Sequence, residues 1–358
     1  MTNRRRALQS LLALSLAWRL PPAGAAQTAP GALGYLPWWM AAGWKTFPVQ
    51  KLDRVALFDA TIGEDGAVAA RDWDTRAPKA DSPLDLTLTL FEPAQFDALF
   101  SQAPRRARLL AAVSALVARR FVAGIQLDIE GYEEARPAAL AGFRRWLAEI
   151  DDVRRRHGKS LSAFYPASDL FRPYDRAAAQ RIDYWVAQVY DAHWPESKVT
   201  GPLVTRNTGN TAAVPRAVAR LAALGVAPRS VLLSVPLYGW EWPAESEHPG
   251  AATRGRARLL TFAQTPKELM PEDRLAARAL ARQHGLRRDA EGTPHYAYRD
   301  ATQWRQGWYE DVQSLTRKLA EEREQGYAGL AFFPLGYDQG EIVEPMLRWW
   351  SRSAPPAR

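Results

Sequence analysis

Residues Val122 to Glu130 read VAGIQLDIE, and apolar and polar side chains alternate strictly from Ile125 onward. Side chains two apart share one face of a strand. Gln126, Asp128 and Glu130 therefore form one column, and Ile125, Leu127 and Ile129 the other. An amide and two carboxylates are costly to bury without partners. Two neighbouring carboxylates also oppose each other's charge. One ionises first, and the second stays protonated near neutral pH, fit to act as an acid. That chemistry suits cleavage of a glycosidic bond, with Glu130 as the acid. The competing reading is a surface strand whose polar face meets water, and the surrounding elements decide between the two.

Strand-like apolar runs recur at Gly31–Leu36, Arg54–Asp59, Leu84–Leu90, Val122–Asp128, Ser160–Tyr165, Ile182–Tyr190, Val231–Leu237 and Gly329–Phe333. Helical spacing lies between most of them. Examples are Leu109, Leu110, Val113, Leu116 and Val117; Phe143, Trp146, Leu147, Ile150 and Val153; Val214, Val218, Leu221 and Leu224; and Val312, Leu315 and Leu319. Eight alternations of strand and helix predict a parallel sheet closed into a (β/α)8 TIM barrel. The barrel would span 26–352, with a small inserted subdomain at 240–310 between the seventh and eighth strands. The insert holds a helical pattern, Arg274 to His284, and a β-like aromatic stretch, Pro294 to Tyr298. In a barrel the column ending at Glu130 faces the interior, and Glu130 stands at the strand's C-terminal end, where barrel enzymes place catalytic groups. Trp38, Trp39, Trp194, Trp240 and Trp242 follow strands one, six and seven on the same side. They would either stack on sugar rings or pack between loops. Trp349 and Trp350 read as core residues of a last helix.

Residues 1–25 read as an export signal. Arg4, Arg5 and Arg6 precede the apolar run Ala7 to Trp18, Pro21 and Pro22 end that run, and Ala23-Gly24-Ala25 supplies a cleavage pattern. The expected location is periplasmic or extracellular, by a general or a twin-arginine route. The signal's four arginines account for half of the formal charge of +8. The remaining charge is modest and scattered, so nucleic acid is not an expected partner. No later stretch reads as a membrane span, and 353–358 reads as a frayed tail. There is no cysteine, which excludes disulfides and thiolate metal sites. The five histidines lack paired ligand spacing, so neither a metal nor a cofactor is expected. No P-loop, dinucleotide fingerprint or G-x-S-x-G elbow is present. Nothing in the sequence marks an oligomeric state.

The segment ending at Glu130 resembles the strand-four signature of glycoside hydrolase family 18, the chitinase family, written D-G-x-D-x-D-x-E. Gly34-Tyr35-Leu36-Pro37-Trp38 resembles its first strand. Val189-Tyr190-Asp191 resembles its M-x-Y-D, with Gln188 in place of Met, and Val235 to Gly239 resembles its G-x-P-x-Y-G. Trp308 to Leu315 resembles its Y-D-D-x-x-S-L, and Gly326 to Phe333 occupies the place of its last strand. The pieces occur in order over nearly the whole chain. The resemblance implies a retaining, substrate-assisted hydrolysis of N-acetylated oligo- or polysaccharides, outside the usual two-carboxylate scheme. Glu130 would protonate the glycosidic oxygen and Asp128 would orient the acetamido N–H. Tyr190 and Asp191 would hold the acetyl group. Gln126, Tyr35, Trp38, Gln188, Tyr238, Trp240 and Phe333 would contact the sugar.

The sequence departs from the family at four further places. Ala123 and Gln126 replace the first two aspartates, Phe333 replaces the strand-eight Trp, and S-x-G-G is missing from Leu84–Phe91. These losses keep a second reading open, a lectin-like binding barrel. A third reading pairs Glu130 with Glu241, which follows strand seven, as a conventional acid and nucleophile.

Overall fold

The computed structural model describes residues 28–351 other than 80, 133–134, 167–172, 208–212, 267 and 270–274. The signal at 1–25, the tail at 353–358 and Arg274 lie outside the described residues. Eight parallel strands form the main sheet: Ala32–Pro37, Arg54–Ile62, Leu84–Leu90, Val122–Ile129, Ser160–Tyr165, Tyr184–Gln188, Val231–Pro236 and Gly329–Phe333. Each pairs with the next in that order, and the first pairs with both the second and the eighth, so the sheet closes. Closure removes the edges an open sheet would expose. The expected barrel is present, with strand ends within a few residues of those read from the sequence.

Helices cover the outside. Pro137–Arg156 carries the clearest amphipathic pattern and buries Phe143, Trp146, Leu147 and Ile150. Phe96 and Phe100 pack against these rings, with Phe100 and Phe143 centroids 5.2 Å apart. They belong to the short helix Pro93–Ser101, which the sequence reading missed. The tryptophan-rich stretch after the first strand is the 3₁₀ helix Trp38–Thr46, with Met40 buried beneath it.

The barrel floor is polar. Arg54 of the second strand donates to Asp85 of the third and to Ser160 Oγ of the fifth at 2.8 Å. Tyr184 of the sixth donates to the other Asp85 oxygen. Gly124 of the fourth strand lies beside this group, where a Cβ would fall 1.9 Å from Ser160 Oγ. A side chain there has no space, so this glycine lets the four strands close around the buried acid.

The insertion is a six-stranded sheet built within 238–309. Its central strand, Tyr238–Ala244, is separated from the end of the seventh barrel strand by Leu237 alone and pairs antiparallel with Trp304–Tyr309 and Arg258–Thr261. Pro294–Arg299 is the β segment expected from its aromatic residues, and Ala277–His284 is helical. Strand Trp304–Tyr309 lacks a clean alternation, and it went unread. The run Trp308 to Leu315 holds the junction back to the barrel. Asp311 and Ser314 cap each other at the start of helix Val312–Lys318, and buried Glu310 pairs with Lys318 at 2.8 Å.

Asp85→Ala leaves the Arg54 guanidinium, 13% exposed, without its carboxylate. Breaking such a pair costs about 3 kcal/mol or more. Urea unfolding is expected to show that loss, whereas an unchanged midpoint would deny the floor a structural role.

Candidate active site

The mouth of the barrel gathers the predicted residues. The fourth strand ends at Ile129, and Glu130 N–H still bonds Leu90 O of the third strand at 2.7 Å. Gly131 follows with φ +75°, and a Cβ there would meet Phe91 O at 2.5 Å. The chain thus leaves the strand where a side chain does not fit, directly after Glu130. Gln126 is fully buried, Asp128 is buried and Glu130 is half-buried. The column therefore rises from the packed interior toward solvent, with Glu130 uppermost.

Asp128 and Glu130 are hydrogen-bonded through their side chains. Two ionised carboxylates have no donor between them, so the bond requires one shared proton. Burial is the main force raising the affinity of Asp128 for that proton, and the charge of Glu130 adds to it. Burial thus favours the proton on Asp128, the deeper group. The second oxygen, Asp128 Oδ1, is buried with no hydrogen-bond partner. Such an orphaned acceptor calls for an explanation, and a ligand N–H supplies one.

The sixth strand brings the opposite wall. Tyr190 is buried close enough to Asp128 and Glu130 that both carboxylates help hold its hydroxyl protonated, after burial itself and Asp191. Asp191 has φ +61°, unusual for a residue other than glycine, and such strain clusters at functional sites. Its Oδ1 accepts from Tyr238 OH at 2.7 Å and its Oδ2 from Gln188 Nε2 at 3.2 Å. Burial nevertheless raises its pKa to about 6, with the Tyr238 bond opposing.

Aromatic rings connect the walls. Half-buried Phe333 meets Tyr35 at 5.7 Å, Phe58 at 5.4 Å and Tyr238 at 6.4 Å, all edge-on. Tyr238 also meets Tyr190 at 6.0 Å and half-buried Trp240 at 5.3 Å. Trp38 and Trp194 are exposed, as a sugar platform requires, whereas Trp242 is fully buried and serves packing. Trp39 bonds Tyr337 OH at 3.2 Å. Tyr35 lies deep beside Gln126 and Asp128.

Glu241 does not join this group. Tyr238 and Trp240 face the mouth, so alternation turns Glu241 to the other face of the inserted strand. There it is fully buried, accepting from Tyr296 OH at 2.6 Å and Arg258 Nε at 2.7 Å. That network removes it as a nucleophile paired with Glu130.

One acid at the mouth escaped the sequence reading. Asp59 of the second strand is buried and accepts from Thr61 Oγ1 and Thr89 Oγ1, each at 2.8 Å, and from Arg71 Nε at 3.2 Å. Simple alternation from Arg54 would turn it outward. The second strand instead carries one extra residue between Leu57 and Ala60 relative to the third, and the bulge brings both Phe58 and Asp59 inward. Among the described residues no group of His, Cys, Asp and Glu could hold a metal ion, and no helix is long and apolar enough to cross a membrane.

Residues 91–338 match the family described as glycosyl hydrolases family 18. Over 268 residues the chain is 24% identical to YdhD of Bacillus subtilis (strain 168), named as a sporulation-specific glycosylase. The match covers 73% of this chain but only 58% of that longer protein. A family 18 chitinase from Cycas revoluta, solved with allosamidin, superposes with a TM-score of 0.71 at 17% identity, covering 89% of this chain and 98% of that one. A chitinase-like agglutinin from Robinia pseudoacacia superposes with a TM-score of 0.68 at 18% identity, covering 89% and 99%. At these identities the superpositions establish the barrel and its inserted sheet.

Asp191→Asn tests the buried electrostatics. A carboxyl whose pKa rises on folding stabilises the protein fully below its unfolded pKa, near 4, and loses that contribution as pH climbs through about 6. Asn has no such dependence. The stability of wild type relative to Asp191→Asn is expected to fall by on the order of 3 kcal/mol between pH 4 and 7. A constant difference in urea unfolding across that window would contradict the assigned shift.

Proposed function

The chain belongs to the glycosyl hydrolases of family 18, and on that premise we propose that it hydrolyses β-linked N-acetylglucosamine glycans by a retaining, substrate-assisted route. The observation that carries this reading is the unpartnered Asp128 Oδ1 beside a proton shared with Glu130. An acetamido N–H supplies the missing donor. As it binds, it favours a negative charge on Asp128, and the proton has only the existing hydrogen bond to cross to reach Glu130. Glu130 then donates it to the glycosidic oxygen while the bond from that oxygen to the anomeric carbon breaks. The acetamido carbonyl oxygen attacks the same carbon and closes a ring on the sugar. Asp128 stabilises the positive charge of that ring. Water next attacks the anomeric carbon, loses its proton to Glu130 and reopens the ring with configuration retained.

The remaining residues position the sugar. Tyr190 and Asp191 hold the acetyl group from the sixth strand, with Gln188 and Tyr238 fixing the carboxylate of Asp191. Phe333, Tyr35 and Trp240 offer ring faces and edges around the sugar, Trp38 an outer platform, and Gln126 an amide below it. The polymer is chitin or peptidoglycan, both of which carry the required acetamido group. The chitinase from Cycas revoluta favours chitin, and the glycosylase name of YdhD agrees with cleavage of a glycan. The basic, apolar and small-residue segments within 1–25 support action outside the cytoplasm. No metal or cofactor enters the scheme.

A binding barrel without turnover remains the second reading. Gln126 and Ala123 favour it, since each stands where the motif carries an acid, and the agglutinin from Robinia pseudoacacia is built on the same fold. Glu130→Gln separates the readings. On N-acetylglucosamine oligomers and on peptidoglycan fragments, kcat is expected to drop by about a thousandfold with little change in KM. Equal rates in both proteins would rule out the hydrolytic role of Glu130. Oligomer binding by calorimetry with no turnover in wild type would establish the lectin.

A further inference from the structure

Asp59 has no part in the scheme above, yet its charge acts on Asp128 from another strand. Three donors converge on it. Thr61 and Thr89 both bond Oδ2 at 2.8 Å, and Arg71 bonds Oδ1 at 3.2 Å. Thr89 is the register neighbour of Asp128 across the third and fourth strands, and Thr61 is the neighbour of Thr89 across the second and third. Thr61, Thr89 and Asp128 thus lie side by side on three adjacent strands, with Asp59 bonded to the first two. The bulge in the second strand exists at the residues that make this approach possible. Burying a carboxylate there is unfavourable unless it serves a purpose. On the fourth strand itself, the position preceding Asp128 in the column carries the neutral Gln126, where the motif carries an acid.

We propose that Asp59 is a positioning residue for Asp128: its charge, fixed by Thr61, Thr89 and Arg71, keeps the single proton within the Asp128–Glu130 pair and replaces the carboxylate that is missing at Gln126. The inference rests on the reading of Asp128 and Glu130 as the reacting pair. The charge of Asp59 acts in the same direction as that of Glu130, opposing ionisation of Asp128. The other titratable groups facing this cluster are Tyr35 from the first strand, Tyr132 after the fourth, Tyr174 after the fifth and Tyr190 after the sixth. Burial keeps all four hydroxyls neutral at ordinary pH, so they do not compensate for a lost carboxylate. Arg71, which also stacks 5.0 Å from the Trp38 ring centroid, is the cation that bonds Asp59 and partly offsets it.

Carboxyl carbon NMR of the free, full-length protein tests this without turnover, with the Asp128 signal assigned through Asp128→Asn. In Asp59→Asn, Asp128 is expected to lose its proton at a pH lower by about one unit or more. Asp59→Glu is expected to restore the wild-type midpoint. Arg71→Gln lies on a partly exposed side chain, so it guards against a misfolded Asp59 variant. It removes the offsetting cation and is expected to shift the Asp128 midpoint upward instead. Opposite shifts in Asp59→Asn and Arg71→Gln support the proposal. An unchanged midpoint in either folded variant overturns it, and so does a restored midpoint that Asp59→Glu fails to give. A chain that hydrolyses no sugar yet shows these shifts would refute the proposed function while leaving this assignment intact.

Discussion

Two carboxylates that cannot both be charged organise this molecule. Asp128 and Glu130 stand two residues apart on one strand inside a closed barrel, and a direct hydrogen bond joins them. Water is too scarce at Asp128 to support its charge, so a single proton has to serve the pair. Everything nearby responds to that constraint. The strand rises so that only Glu130 reaches solvent, and the chain breaks at Gly131 directly above it. Asp128 Oδ1 finds no hydrogen-bond partner among the described residues.

The barrel achieves this by separating its layers. Arg54, Asp85, Ser160 and Tyr184 satisfy one another at the floor, far down the strands from the mouth. The floor groups are hydrogen-bonded to one another, while the mouth retains an unmet hydrogen bond at Asp128 Oδ1 and a positive φ at Asp191. The inserted sheet extends the seventh strand outward with Tyr238 and Trp240 on its inner face. Glu241 on its outer face is locked to Arg258 and Tyr296, which ties the sheet together behind the cleft.

Much of this was legible from residue spacing. Short apolar runs separated by helical spacing located the barrel strands, and the ordered motifs located Glu130, Asp128, Tyr190 and Asp191 at one mouth. What escaped were features that break periodicity. Asp59 lies inward only because the second strand gains a residue, and no local pattern in RVALFDATI announces a bulge. Gln306 to Tyr309 in strand Trp304–Tyr309 are buried on both faces, so that strand does not alternate. Trp242 shares the aromatic character of Trp240 but packs inside the sheet, because composition does not distinguish a platform from a core.

The most direct test of the shared-proton site is a crystal structure of Glu130→Gln soaked with tri-N-acetylchitotriose. The expected result is an acetamido N–H within hydrogen-bonding distance of Asp128 Oδ1, Tyr190 and Asp191 around the acetyl group, and a glycosidic oxygen against the residue 130 side chain. A sugar seated elsewhere on the barrel, or one whose acetamido group turns away from Asp128, would contradict the account.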